Sequence, residues 1–226
     1  MKILFATTRL LLLPLLLTLG ACGSLLPKPA PPPAFFALNA VANRPAVAVA
    51  VATSAPTLIV NPPQAAAGFD SARIIYVRQP HQLQYFAQSE WVDTPARMLA
   101  PLLVTALQRG GAFKAVVSSP SAAAGELRLD TEIVRLQQDL DAAGGSAVRF
   151  TLRATLVDNL TRKVRGTREF EASVAASADA YAGVVAANSA VQTVLSQVAD
   201  FAAASAAASA AFAEPVIAPF AAAPAR

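Results

Sequence analysis

The sequence predicts an α+β domain, and three stretches predict it. Val148, Phe150, Leu152, Ala154 and Leu156 alternate with Arg149, Thr151, Arg153 and Thr155. That is the period of a strand with one buried face. Met98, Leu99, Leu102, Leu103, Ala106 and Leu107 recur at helical spacing. A third stretch, Ala178 to about Ala206, carries Tyr181, Val184, Val185, Asn188, Val191, Val194, Leu195, Val198 and Phe201 on one helical face, with Ala and Ser on the other. Antiparallel strands beside separate helices define the α+β class.

The chain of 226 residues opens with Lys2 and Arg9, then an apolar run from Leu10 to Leu19. Those are the charged and apolar regions of a secretory signal. The run is shorter than the roughly 20 residues of a membrane-spanning helix. Leu19-Gly20-Ala21-Cys22 follows and resembles the bacterial lipobox at all four positions. By that resemblance the signal is residues 1–21, Cys22 is the lipid-attachment site, and its new amino group is acylated. Cys22 is also the chain's single cysteine, so no disulfide framework competes for it. Two or more acyl chains anchor a protein stably, at about 0.8 kcal/mol per buried methylene.

Cleavage leaves 205 residues, enough for one domain with tails. The net charge of +4 falls to about +2 without the leader, which gives no argument for nucleic acid. His81 is the one histidine, so His-based catalytic or metal clusters are nearly excluded. No catalytic residue, metal site or cofactor is expected.

Residues 22–34 form a tether rich in proline: Pro27, Pro29, Pro31, Pro32 and Pro33. Prolines favour the extended polyproline II form at about 3.1 Å per residue. The domain then occupies 35–206. Phe35 to Leu38 reads as a first strand, Asn39 to Ala55 as a loop, and Leu58 to Val60 as a strand closed by Asn61-Pro62-Pro63. Arg73 to Arg78 and Leu83 to Phe86 flank a turn at Gln79–Gln82 and make a hairpin. Thr94 suits a helix N-cap and Pro95 the first helical position. Gly110-Gly111 suits its end, while Pro101 removes one backbone bond inside it. Phe113 to Val117 is a strand.

Leu127, Leu129, Thr131 and Ile133 alternate, and a shift to Val134 and Leu136 signals a bulge. Turns at Asp139–Ser146 and Asp158-Asn159 link this strand to Val148–Leu156 and then to Val164–Val174. The three form an antiparallel meander. Residues 207–226 are an Ala/Pro tail with little to bury.

Ile74 to Val77, Leu83 to Ala87, Trp91 to Leu99 and Gly111-Ala112-Phe113 carry a family pattern. A Tyr-bearing strand, an aromatic hairpin, a Trp, a Pro-capped helix and Gly-x-Phe follow in that order. From Pro56 to Phe201 the chain resembles the ABC-type transport auxiliary lipoprotein family. That family includes the lipoprotein partner of the paraquat-inducible MCE (mammalian-cell-entry) lipid-transport system. The resemblance implies a central mixed sheet, mostly antiparallel, with the Pro-capped helix and the long C-terminal helix packed on it. It implies a periplasm-facing lipoprotein and no enzymatic activity. The implied partners are an MCE-domain protein and an ABC permease–ATPase complex; a homo-oligomer stays open. Gly23 after the acylated cysteine favours the outer membrane under the enterobacterial sorting rule.

Four residues stand out as candidate interface groups. Tyr85 and Trp91 are large amphipathic aromatics of the kind that anchor interfaces. Trp91 alternatively pins the hairpin onto the helix after it. Arg149 and Arg153 share one face of a strand in the most basic part of the chain. Such a face would meet anionic headgroups or an acidic partner, or simply be a solvated sheet surface. Asp139 with Asp141 is too small a set for a calcium loop. Glu90 and Asp93 flank Trp91 with no nucleophile in view. Two other functions fit the same sequence: a carrier with an acyl chain between sheet and helices, which needs an apolar cavity, and a structural envelope lipoprotein.

Overall fold

The computed structural model of the protein describes residues 32–39, 54–141 and 144–213, with side chains to residue 208. The leader, Cys22, most of the tether, residues 40–53 of the expected loop and the tail after 213 lie outside the described residues. Apart from Pro32, the described residues belong to one compact unit, Pro33–Arg226.

Nine strands form one mixed sheet: β1 (Ala34–Phe36), β2 (Thr57–Val60), β3 (Gln64–Ala65), β4 (Arg73–Val77), β5 (Leu83–Trp91), β6 (Ala115–Ser118), β7 (Leu127–Leu140), β8 (Ser146–Asp158) and β9 (Val164–Ala175). Two helices among the described residues, α1 (Pro95–Arg109) and α2 (Ala180–Ala213), complete the α+β fold.

Strand β7 is the hub. One edge is wholly antiparallel to β8, from Leu127↔Asp158 to Leu140↔Ser146. Its other edge is shared by three short parallel partners: β2 at Leu127–Leu129, β3 at Glu132–Ile133 and β4 at Gln138–Asp139. The expected bulge lies between Ile133 and Arg135. The extra residue lets Ile133 and Leu136 both reach the core, at 0% and 5% exposure. Strand β9 closes the meander on β8, while β5 and then β1 extend the sheet beyond β4. The long ladders are antiparallel and the short ones parallel. Local hairpins make the first kind, and crossovers the second.

Helix α1 begins at Pro95 as the sequence indicates, but Thr94 makes no side-chain cap bond. Its amide instead donates to Asp93 Oδ1 at 2.8 Å. The helix runs through Pro101; Arg97 and Pro101 are both exposed, so water can serve the carbonyl that Pro101 leaves unbonded. At the far end Gly111 takes the left-handed conformation, φ 64°.

Helix α2 lies along β8 and β9 and runs seven residues past the expected end. Its inner face differs from the sequence reading. Val184, Ala187, Val191, Val194, Val198 and Ala202 are buried, with Ala186, Ala190 and Leu195 beside them, whereas Tyr181 is 68% and Val185 51% exposed. Alanines line the contact because a helix with short side chains sits closer to a sheet. Gly183 is the extreme case. A Cβ there would stand 2.2 Å from Gln138 Oε1, and Gln138 is buried and bonded to Ser146 Oγ and Ser177 O.

Candidate functional site

The meander turns one face to α2 and the other away from it, and Arg149 and Arg153 stand on the second. Arg153 sits between strands. It reaches Glu132 on β7 at 2.6 Å and Glu169 on β9 at 2.6 Å. The Glu169 hydrogen bond and charge, helped by Glu132, raise its pKa above the ordinary arginine range. Arg149 likewise lies 3.2 Å from Asp139 and 3.9 Å from Glu171. Cross-strand pairing explains this, since Glu132↔Arg153↔Glu169 is one register line. Two arginines thus face four carboxylates, and neither guanidinium is a free cation waiting for a headgroup. The expected basic face is a charge ladder instead. Its carboxylates come from β7 and β9, and linear sequence does not show them opposite the arginines.

Tyr85 and Trp91 sit on the same strand in opposite settings. Tyr85 is 40% exposed, with the Arg73 guanidinium 4.9 Å from its ring centre. This cation–π contact leaves part of the ring open to solvent. On the other face of the same ladder, the Tyr76 and Phe86 rings meet at a tilt of 51° with centres 4.7 Å apart, and the Arg78 guanidinium lies 5.3 Å from the Tyr76 ring centre. Trp91 is only 4% exposed. It borders a small space shared with Ile74, Leu136, Val148 and, from α2, Gly183 and Ala187. The ring is part of the same core cluster as Ala96, Met98 and Leu99 of α1, and it also borders the space under the C-terminal helix. His81 is exposed on its turn with φ 69°. Glu90 and Asp93 do not converge on a nucleophile: Glu90 lies in the β1–β5 pairing, and Asp93 pairs with Arg97 at 3.3 Å.

Sequence reasoning missed the apolar rim at the sheet edge. Strand β1 pairs in parallel with β5 and ends the strand order. Phe35 within it is 61% exposed, and Val92 is 58%, Tyr181 68% and Val185 51% exposed. Phe36 bridges to the helix, its ring 6.4 Å from that of Tyr181. The available signal was that Tyr181 and Val185 fall off the stripe made by Val184, Val191 and Val198. A helical wheel crowded with alanine hides such a departure.

Among the described residues no group of three or more His, Cys, Asp or Glu side chains could hold a metal ion. None of their helices is long and apolar enough to cross a membrane. The space under α2 by Trp91 amounts to about 10 Å³, and the groove between α1 and α2 to about 110 Å³. The larger hollows, beside the β4–β5 turn and along β1, are open surface.

A crystal structure of a Xanthomonas campestris protein superposes with a TM-score of 0.68 at 22% identity, covering 79% of this chain and 99% of that one. A second solved structure, of an uncharacterized protein, gives 0.51 at 15% identity, over 81% of this chain and 100% of the other. At these identities they speak for the fold. No curated protein matches the chain. The family model for the ABC-type transport auxiliary lipoprotein component matches residues 36–203, from β1 through most of α2. A match over that much of the chain, on the same sheet and helices, makes this protein a member of the ABC-type transport auxiliary lipoprotein family.

Proposed function

We propose that this chain is the non-catalytic auxiliary subunit of an ABC/MCE-type system that moves lipids between membranes. It is held by acylated Cys22 on the periplasmic face of the envelope, by preference at the outer membrane. It works by docking protein to protein, as a platform or ring that receives the end of an MCE conduit, with the permease–ATPase complex at the other end. The family match over residues 36–203 carries this reading.

The packing supports a platform over a container. Sites that enclose a small molecule usually need about 300 Å³ or more. The space between sheet and α2 at Trp91 is about 10 Å³, room for about one water molecule at most. An acyl chain there would have to push Ile74, Leu136 and Val148 out of a packed core. The exposed Tyr85 and the ladder around Arg149 and Arg153 are, by contrast, formed surfaces that a partner can meet without rearrangement.

Photo-crosslinking in intact cells, with the reactive group at Tyr85, tests the proposal. An MCE-domain protein should be recovered. Recovery of peptidoglycan enzymes alone, with no transport component, would sink it.

A further inference from the structure

We infer that the apolar rim around β1 is the face that rests on the bilayer. The domain is then held to lipid twice, by Cys22 and by its own surface. The inference rests on the lipid-anchor reading above and adds which side of the fold touches the membrane.

The path of the chain points to it. Eleven residues, 23–33, separate Cys22 from Ala34, the first residue of β1. Fully extended as polyproline II they span about 34 Å, and as a flexible coil about 18 Å. The tether thus enters the fold at the rim itself. A bilayer holding Cys22 is therefore presented to Phe35 at high effective concentration. Three of the exposed apolar side chains line one groove there, Phe35, Tyr181 and Val185, while exposed Val92 stands at the end of β5 between Glu90, which pairs with Phe35, and the Asp93–Arg97 ion pair. The Val92 amide donates to Phe36 O at 2.8 Å, which fixes Val92 beside β1. Asn188 does the same for the helix, accepting from the Asn39 amide at 2.7 Å and donating to Ala37 O at 3.3 Å.

Chemistry favours lipid as the occupant. The open groove along the rim, from Phe35 and Ala37 to Tyr181, Val185 and Gln192, has no charged side chain in its lining. Asp179, just before α2, has Oδ1 occupied by the Ala182 amide at 2.9 Å. Aromatic rings with a polar tip, such as Tyr181, concentrate at membrane–water interfaces. The opposite end of α2 is different in kind. Phe201 lies under Gly166, close to the β8–β9 turn, where Leu160 is exposed among Arg162, Lys163 and Arg165. The helical rise puts Tyr181 and Ser205 about 36 Å apart. Position 160 therefore serves as a reference far from the rim.

The test uses the full chain, acylated in a bacterial host and reconstituted into vesicles of phosphatidylethanolamine and phosphatidylglycerol. A spin label is placed through Tyr181→Cys, and in a separate sample through Leu160→Cys. Collisions with oxygen, which concentrates in lipid, are compared with collisions with a water-soluble nickel chelate. The oxygen-to-nickel ratio should be at least threefold higher at 181 than at 160. Adding Phe35→Ser and Val185→Ser, both at exposed positions, should lower the ratio at 181 to that at 160. Equal ratios in the parent would overturn the inference. So would a label at 181 shielded from both reagents, which means that protein covers the rim, either a second copy or residues 40–53. Dipolar broadening between labels separates those two. Mass spectrometry of the same sample reads the acyl groups on Cys22. Their absence would defeat the anchor reading, while acylation with a water-exposed position 181 would defeat only this one.

Discussion

Asp158 shows how much a single carboxylate can hold in place. It ends β8, where Oδ1 accepts the Thr161 amide at 2.7 Å and Oδ2 meets Arg165. Its own amide donates to Lys163 O at 2.8 Å, closing the turn in which Arg162 takes the left-handed conformation, φ 58°. The Thr161 amide first, and Arg165 second, lower the carboxyl from its ordinary 3.8 to about 2. A depressed folded-state pKa gives stability that is complete above the unfolded value and disappears as pH falls through the folded one. Asp158→Asn should therefore cost about 2 kcal/mol at pH 7, the scale of hydrogen bonds to a charged group. The gap between parent and variant should narrow from about pH 4 downward and be small near pH 2. Urea denaturation across that range checks it; a gap independent of pH would show that the charge is irrelevant. The turn at Asp158-Asn159 was legible in the sequence. The partnership with Arg165 was not, because it depends on how the hairpin returns. Glu126 tells the same story at longer range. Its pKa is lowered chiefly by the Thr57 amide, 69 residues away and 2.7 Å from Oε2.

Helix α2 is where pattern and packing part. The sequence stripe ran through Tyr181 and Val185, yet those two look out while Ala186, Ala187, Ala190 and Ala202 look in. Hydrophobicity ranks Val above Ala, so a wheel drawn from the sequence points toward the valines. Packing ranks by fit, and a long helix laid close along β8 and β9 selects small side chains. Ala190 has 0% exposure, so Ala190→Leu should destabilise the domain by about 1–3 kcal/mol through overpacking. Tyr181→Ala on the outer face should stay within about 0.5 kcal/mol. Chemical denaturation of both variants distinguishes the two faces; equal costs would mean the helix is seated differently. The meander strands were far easier to read. Leu152 and Leu156 alternate with Arg153 and Thr155, and each set kept its side. Period-two alternation admits one burial assignment, whereas an alanine-rich helix admits several.

For the whole molecule, the proposed anchor at Cys22 sets where the domain would act. Cys22→Ser should abolish incorporation of labelled palmitate and release the protein from membrane fractions. Residual label on the Ser variant would place acylation elsewhere. The domain itself has a direction. The tether enters at β1, and α2 carries the structure away from the rim toward the basic β8–β9 turn. The sheet between them is organised by β7, which pairs β2, β3 and β4 along one edge and β8 along the other. That order was invisible to alternation, which identifies strands but not their neighbours. The two-residue β3 was too short to leave any pattern.

The sequence by itself determined the parts of the fold. A local code wrote each of them: proline at the start of α1, alternation in the meander, and the ordered motifs that identify the family. Only the tertiary structure decided what those parts face. It placed Arg149 and Arg153 among carboxylates, buried Trp91 in the core and left Phe35, Tyr181 and Val185 exposed beside β1. The physical reason is distance along the chain. Backbone propensity and periodicity act within a few residues, while pairing of charges and exclusion of water depend on groups brought together from strands and helices far apart.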